Sequence, residues 1–348
     1  MRMGIVGAGD VAVRHVEGLL AAGAVIAGLA EPVEERRKAF QEKHGVPLAV
    51  ADYRLLLASS EIDAVLILTP HALHASMTIE ALRAGKHVIC EKPMATTTEE
   101  CDRMLDAARS AGRALLVTHS LREDFFCRYA IERVREGAAG RLIAGSFRWF
   151  TDELARLEAP GNWKGTKELS GGGVLIDGGC HVADLANAMF GRARRVHAFG
   201  RRLVATRAAV AEDTASLSIE YESGAIVSCL LSFTAGSNHR GPGGFSAGML
   251  ADIHGTEAHI EGGYWIREGQ WRRWAIVRRG GEPDHTQEPE GPVRLGQIDD
   301  ALVRALRGEA PPPLTALDAR NAVAVVDAAY LSLATDRVAD VDWRDEDG

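Results

Sequence analysis

Three side chains in two short motifs carry groups that could serve the oxidation of an alcohol. Lys92 lies in the segment Glu91-Lys92-Pro93, whereas Asp177 and His181 lie four residues apart in a later segment. Residues four apart on a helix project from one face, so the carboxylate and the imidazole would lie together. Beside a bound nicotinamide, one group would accept the hydroxyl proton while hydride leaves, and the other would orient the substrate. Without a nucleotide site nearby, a helix-capping aspartate and a core histidine would be the better interpretation.

A nucleotide-binding pattern lies near the start of the sequence. Gly7, Gly9 and Ala12 form G-x-G-x-x-A between an apolar run at 3–6 and a helical stretch at 11–22. The first glycine permits a tight turn, and the second lets backbone N–H groups approach a pyrophosphate at the helix N-terminus. Glu31 ends the next predicted strand, 19 residues after Ala12, where an acid holds the ribose hydroxyls. The predicted dinucleotide site therefore comprises Gly7, Gly9, Asp10, Val11, Ala12 and Glu31.

The charge at the end of the second predicted strand favours NAD over NADP. The Glu31 carboxylate would repel the 2′-phosphate that distinguishes NADP. Arg36 and Arg37 follow in the predicted helix at 33–44 and could meet that phosphate. Both arginines fit equally well on the solvated face of the helix. NAD is therefore the predicted cofactor, with Arg36 as a candidate contact.

Alternating strands and helices must position these groups in the first 120 residues. Aliphatic runs predict strands at 3–6, 25–30, 64–68, 87–90 and 114–117, and helical patterns lie between them at 11–22, 33–44, 71–84 and 98–111. This order is typical of a parallel sheet covered by helices on both faces. We expect an α/β, doubly wound Rossmann domain over residues 1–120. The carboxyl ends of its strands border the ligand crevice, so Lys92 is expected to point towards the nicotinamide.

The pattern changes after residue 120. Helices at 125–135 and around 172–190 flank a strand at 141–150, and further strands then follow one another between 195 and 277. Strands in a row predict an open, mainly antiparallel sheet. We expect a second α/β domain over residues 121–348 that binds substrate and forms oligomers. Its late helices, over 298–334, are expected to pack back on the first domain.

One face of the second sheet is expected to lack cover within the chain. Leu217, Ile219 and Tyr221 alternate with polar residues, and one long helix precedes these strands. An exposed sheet face with large side chains is more often an interface than bare surface, and two-fold pairing is the commonest solution. We therefore expect a homodimer or a homotetramer. The alternative is a monomer whose loop at 238–248 covers the tryptophans of this region, Trp265, Trp271 and Trp274.

The composition argues against several classes of function. The 348 residues have a net charge of −8 and no sustained Lys/Arg tract, which disfavours a nucleic-acid partner and a cation-rich membrane face. No apolar run approaches the roughly 18 residues of a membrane span, and glycines interrupt the apolar N-terminal stretch, unlike a signal peptide. The five cysteines are scattered without C-x-x-C spacing. We expect reduced thiols in a cytoplasmic protein and no metal site.

The order of the motifs resembles that of the Gfo/Idh/MocA oxidoreductases. After G-x-G-x-x-A and Glu31 come Thr69-Pro70 with His74, the run 84–88 leading into Glu91-Lys92-Pro93, and G-G-G-x-L-x-D-x-G-x-H with Asp184. The resemblance extends from residue 3 to residue 341. It implies a Rossmann domain and a C-terminal α/β domain whose open sheet commonly builds dimers or tetramers. It also implies sugars, cyclitols or their derivatives as substrates.

The resemblance further implies roles for individual residues. The family's catalytic lysine, aspartate and histidine correspond to Lys92, Asp177 and His181. Cofactor contacts are implied for Thr69, Pro70, His71, His74, Glu91, Lys92, Pro93 and His119, and substrate contacts for Arg122, Trp163, Lys164, Asp177 and His181. The sequence departs from the family's usual residues at His71, Ser120 and Glu123-Asp124, which affects the expected shape of the pocket.

The expected function is NAD(P)-dependent hydride transfer between nicotinamide and a secondary alcohol or ketone of a sugar, a cyclitol or a derivative. One alternative is redox-assisted glycoside cleavage, in which transient oxidation and re-reduction give net hydrolysis. A non-catalytic NAD-binding regulator is the other alternative. Such relatives usually lose the lysine or the histidine, whereas Lys92 and His181 are present here. We therefore expect a dehydrogenase or reductase that acts on CH–OH groups.

Overall fold

The computed structural model describes residues 1–207, 210–234, 245–267, 270–279, 282–286 and 296–345. The chain divides into two units. The N-terminal unit comprises Met1–Ser120 with Arg294–Arg320, and the C-terminal unit comprises Leu121–Val293 with Asn321–Gly348. Each unit contains a cluster of buried apolar side chains of its own.

Six parallel strands form the sheet of the N-terminal unit. They are β1 (Arg2–Val6), β2 (Val25–Ala30), β3 (Leu48–Val50), β4 (Ala64–Ile67), β5 (His87–Glu91) and β6 (Leu115–Thr118). Their order across the sheet is β3-β2-β1-β4-β5-β6. The order reverses between β1 and β4, the switch point at which sheets of this kind bind ligands. This is the doubly wound topology that the sequence predicts.

Five helices alternate with these strands. They are α1 (Asp10–Ala21), α2 (Glu34–His44), α3 (Arg54–Leu57), α4 (His74–Arg83) and α5 (Thr98–Ala111). Every residue of β4 is buried, which agrees with a sheet that is covered on both faces. The elements β3 and α3 were not predicted, because three or four residues are too few to show a periodic pattern.

In the described residues of the C-terminal unit, nine strands form one sheet. They are β7 (Leu142–Thr151), β8 (Ala193–Arg201), β9 (Thr214–Tyr221), β10 (Ile226–Ser232), β11 (Phe245–Gly255), β12 (His259–Arg267), β13 (Gln270–Arg279), β14 (Glu282–Thr286) and β15 (Ala339–Asp340). Their order is β14-β13-β12-β11-β7-β10-β9-β8-β15. Neighbours pair antiparallel except β10 and β7, which pair in parallel. The predicted, mainly antiparallel sheet is confirmed, although β14 and β15 were not expected.

The helices of the C-terminal unit that lie before β8 differ from the prediction. They are α6 (Phe125–Arg135), α7 (Leu154–Glu158), α8 (Lys167–Ser170), α9 (Val174–Asp177) and α10 (Gly179–Phe190). The prediction contained neither α7 nor α8, and it placed one helix where α9 and α10 lie. The single helix expected around 172–190 is wrong, because Gly178 separates α9 from α10. A Cβ atom at Gly178 would lie 2.5 Å from the ring of Trp149 in β7. The lack of a side chain therefore lets this backbone approach the sheet closely.

Two late helices complete the described elements. They are α11 (Gly296–Leu306) and α12 (Ala316–Thr335). The helix α11 belongs to the N-terminal unit and packs against α1, with Ile298, Leu302 and Val303 in the same apolar cluster as Val16 and Leu19. The part of α12 that begins at residue 321 belongs to the C-terminal unit.

The C-terminal sheet has a buried face and a partly exposed face. Leu217, Ile219 and Tyr221 are buried, whereas Ser216 and Ser218 on the other face are exposed. The exposed face also carries large apolar side chains, namely Phe199, Ile226 and Leu230. Trp265 and Trp274 are partly exposed. The side chain of Trp271 and residues 238–244 of the predicted covering loop lie outside the described residues.

Two further features of the described residues bear on the composition argument. All five cysteines are free thiols, and all five are buried. Within the described part of the chain, no helix is both long enough and apolar enough to cross a membrane.

Candidate active site

The glycine turn between β1 and α1 has a backbone geometry that a side chain would disrupt. Gly7 has a φ of +99°, and a Cβ atom there would lie 2.9 Å from the carbonyl oxygen of Leu68. Both the angle and the contact favour glycine at this position. A Cβ atom at Gly9 would meet no described atom within 4 Å. The space before the N-terminus of α1 is therefore open to an anion, which the helix dipole favours.

The remaining residues of the glycine pattern form the first turn of α1. Ala12 is completely buried, Val11 is partly exposed and Asp10 is exposed. The N-cap residue of this helix, Gly9, provides no side-chain hydrogen bond to the helix N-terminus. The terminus therefore suits an anionic ligand such as a pyrophosphate.

Glu31 lies between two loops at the carboxyl edge of the parallel sheet. Its Oε2 accepts a hydrogen bond from the backbone N–H of Ala8 at 2.8 Å, and its Oε1 accepts one from Val33 at 3.0 Å. Each carboxylate oxygen can accept a second hydrogen bond, so both remain suited to ribose hydroxyls. The bond from Ala8 holds the acid beside the glycine turn.

The two arginines that follow Glu31 have different surroundings. Arg37 Nη1 donates a hydrogen bond to the backbone carbonyl of Glu31 at 2.7 Å. Arg36 is exposed on α2. Arg37 therefore supports the end of β2, whereas the Arg36 guanidinium is accessible from solvent.

The loop that carries Lys92 follows β5 and is held by a buried histidine. The peptide bond between Lys92 and Pro93 is cis. His74 Nδ1 lies 2.8 Å from the carbonyl oxygen of Pro93, and its Nε2 lies 2.9 Å from that of Thr69. Burial lowers the pKa of His74, and a neutral ring can donate to one of these carbonyls. His74 therefore joins the loops after β4 and β5, and these bonds do not support the predicted contact with the cofactor.

The segment after β4 supports this histidine. Pro70 precedes a short 3₁₀ helix, His71–Leu73. His71 is 4% exposed and packs edge-on against His74, with the two ring centroids 5.6 Å apart. His71 thus helps to orient the ring that joins the two loops.

Buried polar groups lie at the carboxyl ends of β4 and β6. The Oγ1 atoms of Thr69 and Thr118 are buried and have no hydrogen-bond partner among the described residues. His119, directly after β6, is completely buried. Buried hydroxyls without a partner are uncommon in folded proteins. This edge therefore fits a polar ligand such as a dinucleotide.

A buried cluster behind the same edge was not anticipated from the sequence. His15 Nδ1 lies 2.7 Å from Asp299 Oδ1, and its Nε2 lies 3.4 Å from Glu91 Oε1. The side chains of His15 and Asp299 are 0% exposed, and that of Glu91 is 14% exposed. One signal was available, because His15 lies on the helix face that carries Ala12 and Leu19. That position predicts that His15 is buried, but it does not indicate which residues His15 contacts.

In the C-terminal unit, three predicted site residues lie together. Lys164 Nζ lies 2.8 Å from Asp177 Oδ2 and 5.8 Å from the centre of the Trp163 ring. The side chains of Lys164 and Asp177 are 16% and 8% exposed. Asn162 Oδ1 accepts a hydrogen bond from the Lys164 backbone N–H at 3.0 Å, which fixes the turn that carries the lysine.

His181 lies in the first turn of α10, and Asp177 ends α9. Gly178 has φ −89° and ψ −38°, which are helical values. The four-residue spacing therefore still directs both side chains to one side of the backbone. His181 is 7% exposed. The break between α9 and α10 therefore does not separate the two groups, and the Asp177 carboxylate and the His181 imidazole remain on the same side of the backbone.

Arg122 has a different environment from the one expected of a substrate contact. Its Nε donates to Asp184 Oδ2 and its Nη2 to Asp184 Oδ1, both at 2.7 Å. The two side chains are 5% and 2% exposed. A bidentate pair of this kind is among the stronger hydrogen-bonded contacts in proteins. These bonds assign Arg122 to holding α10 one turn beyond His181, and they do not support the predicted substrate contact.

Glu212 anchors the glycine-rich segment before α9 and was not identified from the sequence. Its Oε1 accepts hydrogen bonds from the N–H groups of Gly173 and Leu175, both at 3.0 Å, and from the Tyr330 hydroxyl at 2.8 Å. A Cβ atom at Gly172 would collide with that hydroxyl. Glu212 and Tyr330 therefore position the start of the helix that ends at Asp177. No local pattern marks these two residues.

Comparisons with known proteins agree with the α/β fold of the two sheets. A family model described as the oxidoreductase family, NAD-binding Rossmann fold, matches residues 1–119, and one described as the GFO/IDH/MocA C-terminal domain matches residues 127–261. The fold is similar to that of a levoglucosan dehydrogenase in complex with NADH and levoglucosan. The TM-score is 0.83 at 24% identity, over 98% of this chain and 99% of that chain.

Two curated relatives illustrate the extent of the sequence similarity. The chain is 35% identical over 184 residues to 1,5-anhydro-D-fructose reductase from Ensifer adhaerens, and the match covers 53% of this chain and 54% of that protein. It is 31% identical over 228 residues to D-xylose 1-dehydrogenase (NADP(+)) 2 from Haloferax volcanii, and this match covers 65% of this chain and 67% of that protein. The chain spans about half the length of several curated relatives that it matches. The family models and the second of these matches show that this chain belongs to the Gfo/Idh/MocA oxidoreductase family.

Proposed function

We propose that this protein is an NAD-dependent oxidoreductase that transfers hydride between nicotinamide and a secondary alcohol or ketone of a sugar, a cyclitol or a derivative. The observation that carries the proposal is the buried pair of Lys164 and Asp177, which lies one helical turn before His181. The ammonium and the carboxylate of this pair can orient a polyol, and an imidazole four residues further along the chain can accept its hydroxyl proton. The family's oxidoreductase assignment supports the same reaction.

Each residue has a proposed role. NAD bound at the glycine turn supplies the hydride acceptor. His181 accepts the hydroxyl proton of the alcohol, while Asp177, held by Lys164, accepts a hydrogen bond from a substrate hydroxyl. Trp163 offers an apolar ring face for the carbon side of a sugar. Lys92 is the third proposed catalytic residue, because the E-K-P motif matches the family's pattern.

The preference for NAD rests on Glu31. Its carboxylate is held against the glycine turn by the Ala8 N–H at 2.8 Å. A fixed negative charge there accepts hydrogen bonds from both ribose hydroxyls and repels a 2′-phosphate. Arg37 is engaged with the Glu31 backbone carbonyl, which leaves Arg36 as the exposed arginine of this pair.

The names of the similar proteins suggest where to search for the substrate. One relative is named for 1,5-anhydro-D-fructose, and one structural neighbour is bound to levoglucosan. In both compounds carbon 1 carries no free hydroxyl group. The other relative is named for D-xylose, which has that hydroxyl. A ring-closed sugar with a blocked anomeric carbon, oxidised at a secondary ring carbon, is therefore the first substrate class to test.

The decisive experiment is a substrate panel read by absorbance of the reduced nicotinamide, with NAD and NADP in parallel. The panel contains anhydrosugars, glycosides, free aldoses, inositols and sugar acids. We expect NADH to form in proportion to a ketone product with at least one of these compounds. Binding of NADH without turnover of any compound would contradict the proposal and would favour a non-catalytic regulator.

The same panel separates a dehydrogenase from redox-assisted glycoside cleavage. A dehydrogenase forms one NADH for each product molecule, whereas the cleavage releases the aglycone with no net NADH. We expect stoichiometric NADH. Release of an aglycone in large excess over NADH would instead assign the protein to net hydrolysis.

We further propose that copies of the chain assemble through the exposed face of the nine-stranded sheet. Phe199 and Ile226 on this face are 56% and 57% exposed, and Leu230 is 41% exposed. Apolar side chains clustered on a sheet surface favour burial against a partner. The five buried free thiols support a reducing compartment, the cytoplasm, as the place of action.

A further inference from the structure

The buried cluster of His15, Asp299 and Glu91 joins three distant parts of the N-terminal unit. His15 lies in α1, Asp299 in α11 and Glu91 at the end of β5. The imidazole stands between the two carboxylates, at 2.7 Å from Asp299 and 3.4 Å from Glu91. Two acceptors face the two ring nitrogens. This arrangement is satisfied when both nitrogens carry a proton.

The charges in this cluster favour an imidazolium. Burial opposes the charged ring, but the hydrogen bonds to Asp299 and Glu91 and the charges of both carboxylates raise the pKa of His15 to about 10. Burial, and to a smaller extent the charge of Glu91, raises the pKa of Asp299, whereas the hydrogen bond and the charge of His15 lower it. The neighbouring cation therefore favours the ionised form of this carboxylate. The cluster therefore holds one positive charge between two negative charges inside the protein.

A buried ionic cluster of this kind contributes little net stability to a protein core. Removing charges from water is costly, and apolar side chains of similar size often stabilise a protein at least as well. Buried ionic groups can instead specify one arrangement of the surrounding elements. The element specified here is the loop that starts at Glu91.

The loop around Lys92 is anchored on both sides of the lysine. Before it, the Glu91 carboxylate contacts His15. After it, the Pro93 carbonyl oxygen contacts His74 Nδ1 at 2.8 Å. The backbone that carries Lys92 is therefore held between two buried histidines.

We propose that His15, by bridging Asp299 and Glu91, is a positioning residue that fixes the loop carrying Lys92 in the geometry for hydride transfer. The role in hydride transfer rests on the proposed function. The bridge itself and its effect on Lys92 can be tested without turnover. Because Asp299 lies in α11, the position of Lys92 depends on a helix that is far along the chain from the Glu91-Lys92-Pro93 motif.

The first test is spectroscopic and uses the protein without cofactor or substrate. With ¹⁵N-labelled histidine at neutral pH, we expect both ring nitrogens of His15 to be protonated, with the signal assigned by its loss in His15→Gln. A His15 ring with a single proton would overturn the charged bridge.

The second test measures the lysine itself. Reductive methylation followed by mass spectrometry gives the rate at which the Lys92 amine reacts, with Lys167, an exposed lysine of α8, as the internal reference. We expect His15→Gln to change the rate at Lys92 severalfold and to leave that at Lys167 unchanged. An unchanged Lys92 rate in a folded His15→Gln protein would overturn the positioning role.

The third test is kinetic. Misplacing a catalytic group by about 1 Å can cost about 10²-fold in rate. We expect His15→Gln to lower kcat by about that factor, with the KM for substrate and the Kd for NADH within about threefold. The control His44→Gln, at the end of α2, should behave as wild type.

Asp299→Asn is a milder variant for the case that His15→Gln does not fold. It keeps a hydrogen-bond acceptor for His15 Nδ1 but removes the charge, so it should lower kcat less than His15→Gln does.

The outcomes separate this inference from the proposed function. If the wild-type protein oxidises no compound, the proposed function fails, while the spectra and the labelling still decide the bridge. Wild-type kcat in both His15→Gln and Asp299→Asn would overturn the inference and leave the proposed function standing. Equal losses of kcat and NADH affinity would also overturn it, because they would indicate general disruption.

Discussion

Lys164 Nζ and Asp177 Oδ2 form a 2.8 Å ion pair in which both side chains are largely buried. A charge-assisted hydrogen bond in such surroundings is stronger than one between surface groups, which often contributes little. The lysine comes from a 3₁₀ turn and the aspartate from the end of α9. The pair therefore ties the turn after α7 to the helix segment that precedes His181.

Breaking this pair should impair the reaction more than it impairs NAD binding. Lys164→Met removes the ammonium that pairs with the buried Asp177 carboxylate, and breaking a buried ion pair typically costs about 3–5 kcal/mol. We expect kcat/KM to fall by at least about 10²-fold and the melting temperature to fall, with the Kd for NADH close to wild type. Lys164→Arg should recover part of the activity. The matched control is Lys167→Met, and a variant Lys164→Met that turns over like this control would exclude the pair from the site.

Removing a proposed catalytic side chain should lower turnover without abolishing cofactor binding. Lys92→Ala and His181→Ala each remove a group proposed to act on the reacting alcohol, and the loss of a positioned acid or base costs about 10²–10⁴ in rate. We expect kcat to fall within that range and the Kd for NADH, from fluorescence titration, to change by a few-fold at most. Near-normal turnover in either variant would exclude that residue from the catalytic step.

Cofactor preference should depend on Glu31. Glu31→Ser removes the charge that repels a 2′-phosphate, so the ratio of kcat/KM for NAD over NADP should narrow, with Arg36 available to the phosphate. The variant also loses the bonds from Ala8 and Val33, so a lower melting temperature is expected. Glu34→Ser, at an exposed glutamate of α2, is the control. A wild-type protein that already prefers NADP would show that this interpretation of Glu31 is wrong.

The charged state of His15 makes a prediction about stability and pH. The pKa of His15 is raised from 6.5 to about 10 by Asp299 and Glu91, the two charged groups that face it, against the effect of burial. The folded protein therefore binds this proton more tightly than the unfolded chain does. The resulting stabilisation is complete below the unfolded pKa of 6.5 and is lost as the pH rises through about 10.

Urea unfolding of the wild type and of His15→Gln between pH 6.5 and 10 measures this effect. We expect the difference in unfolding free energy between the two proteins to shrink steadily as the pH rises. Because other titrating groups are common to both proteins, they largely cancel in the difference. A difference that stays constant over this range would contradict a protonated His15.

Assembly should depend on the exposed face of the C-terminal sheet. Leu230→Arg places a charge on the face that carries Phe199 and Ile226, and burying an unpaired charge opposes association. We expect light scattering coupled to size exclusion to give a dimer or tetramer for wild type and a smaller particle for Leu230→Arg. The control Leu55→Arg replaces a leucine of α3 that is 57% exposed and should leave the mass unchanged. A wild-type particle of 37.4 kDa at micromolar concentration would exclude the interface.

Local patterns in the sequence were sufficient to predict the doubly wound class of the N-terminal unit and its nucleotide-binding turn, although not the short elements β3 and α3. The runs at 3–6 in β1 and 25–30 in β2 contain no charged or polar side chain. The helix Thr98–Ala111 ends before Gly112, which lies in the left-handed region with φ 59°. Such signals lie within a few residues of the feature that they specify. The same is true of Gly7, where a positive φ and a close carbonyl oxygen both require glycine. Neighbouring residues therefore determined these parts, because backbone sterics and side-chain periodicity act over short distances along the chain.

Tertiary packing alone decided which buried polar groups meet. His15 and Asp299 are 284 residues apart in sequence, and Arg122 and Asp184 are 62 apart. The parallel pairing of β10 with β7 likewise joins segments that are separated by several helices and strands. Periodicity indicates that a residue is buried, but its partner depends on which distant segment packs against that face. The sequence alone therefore predicted which side chains could carry the chemistry, and the folded chain decided which buried polar groups meet around them.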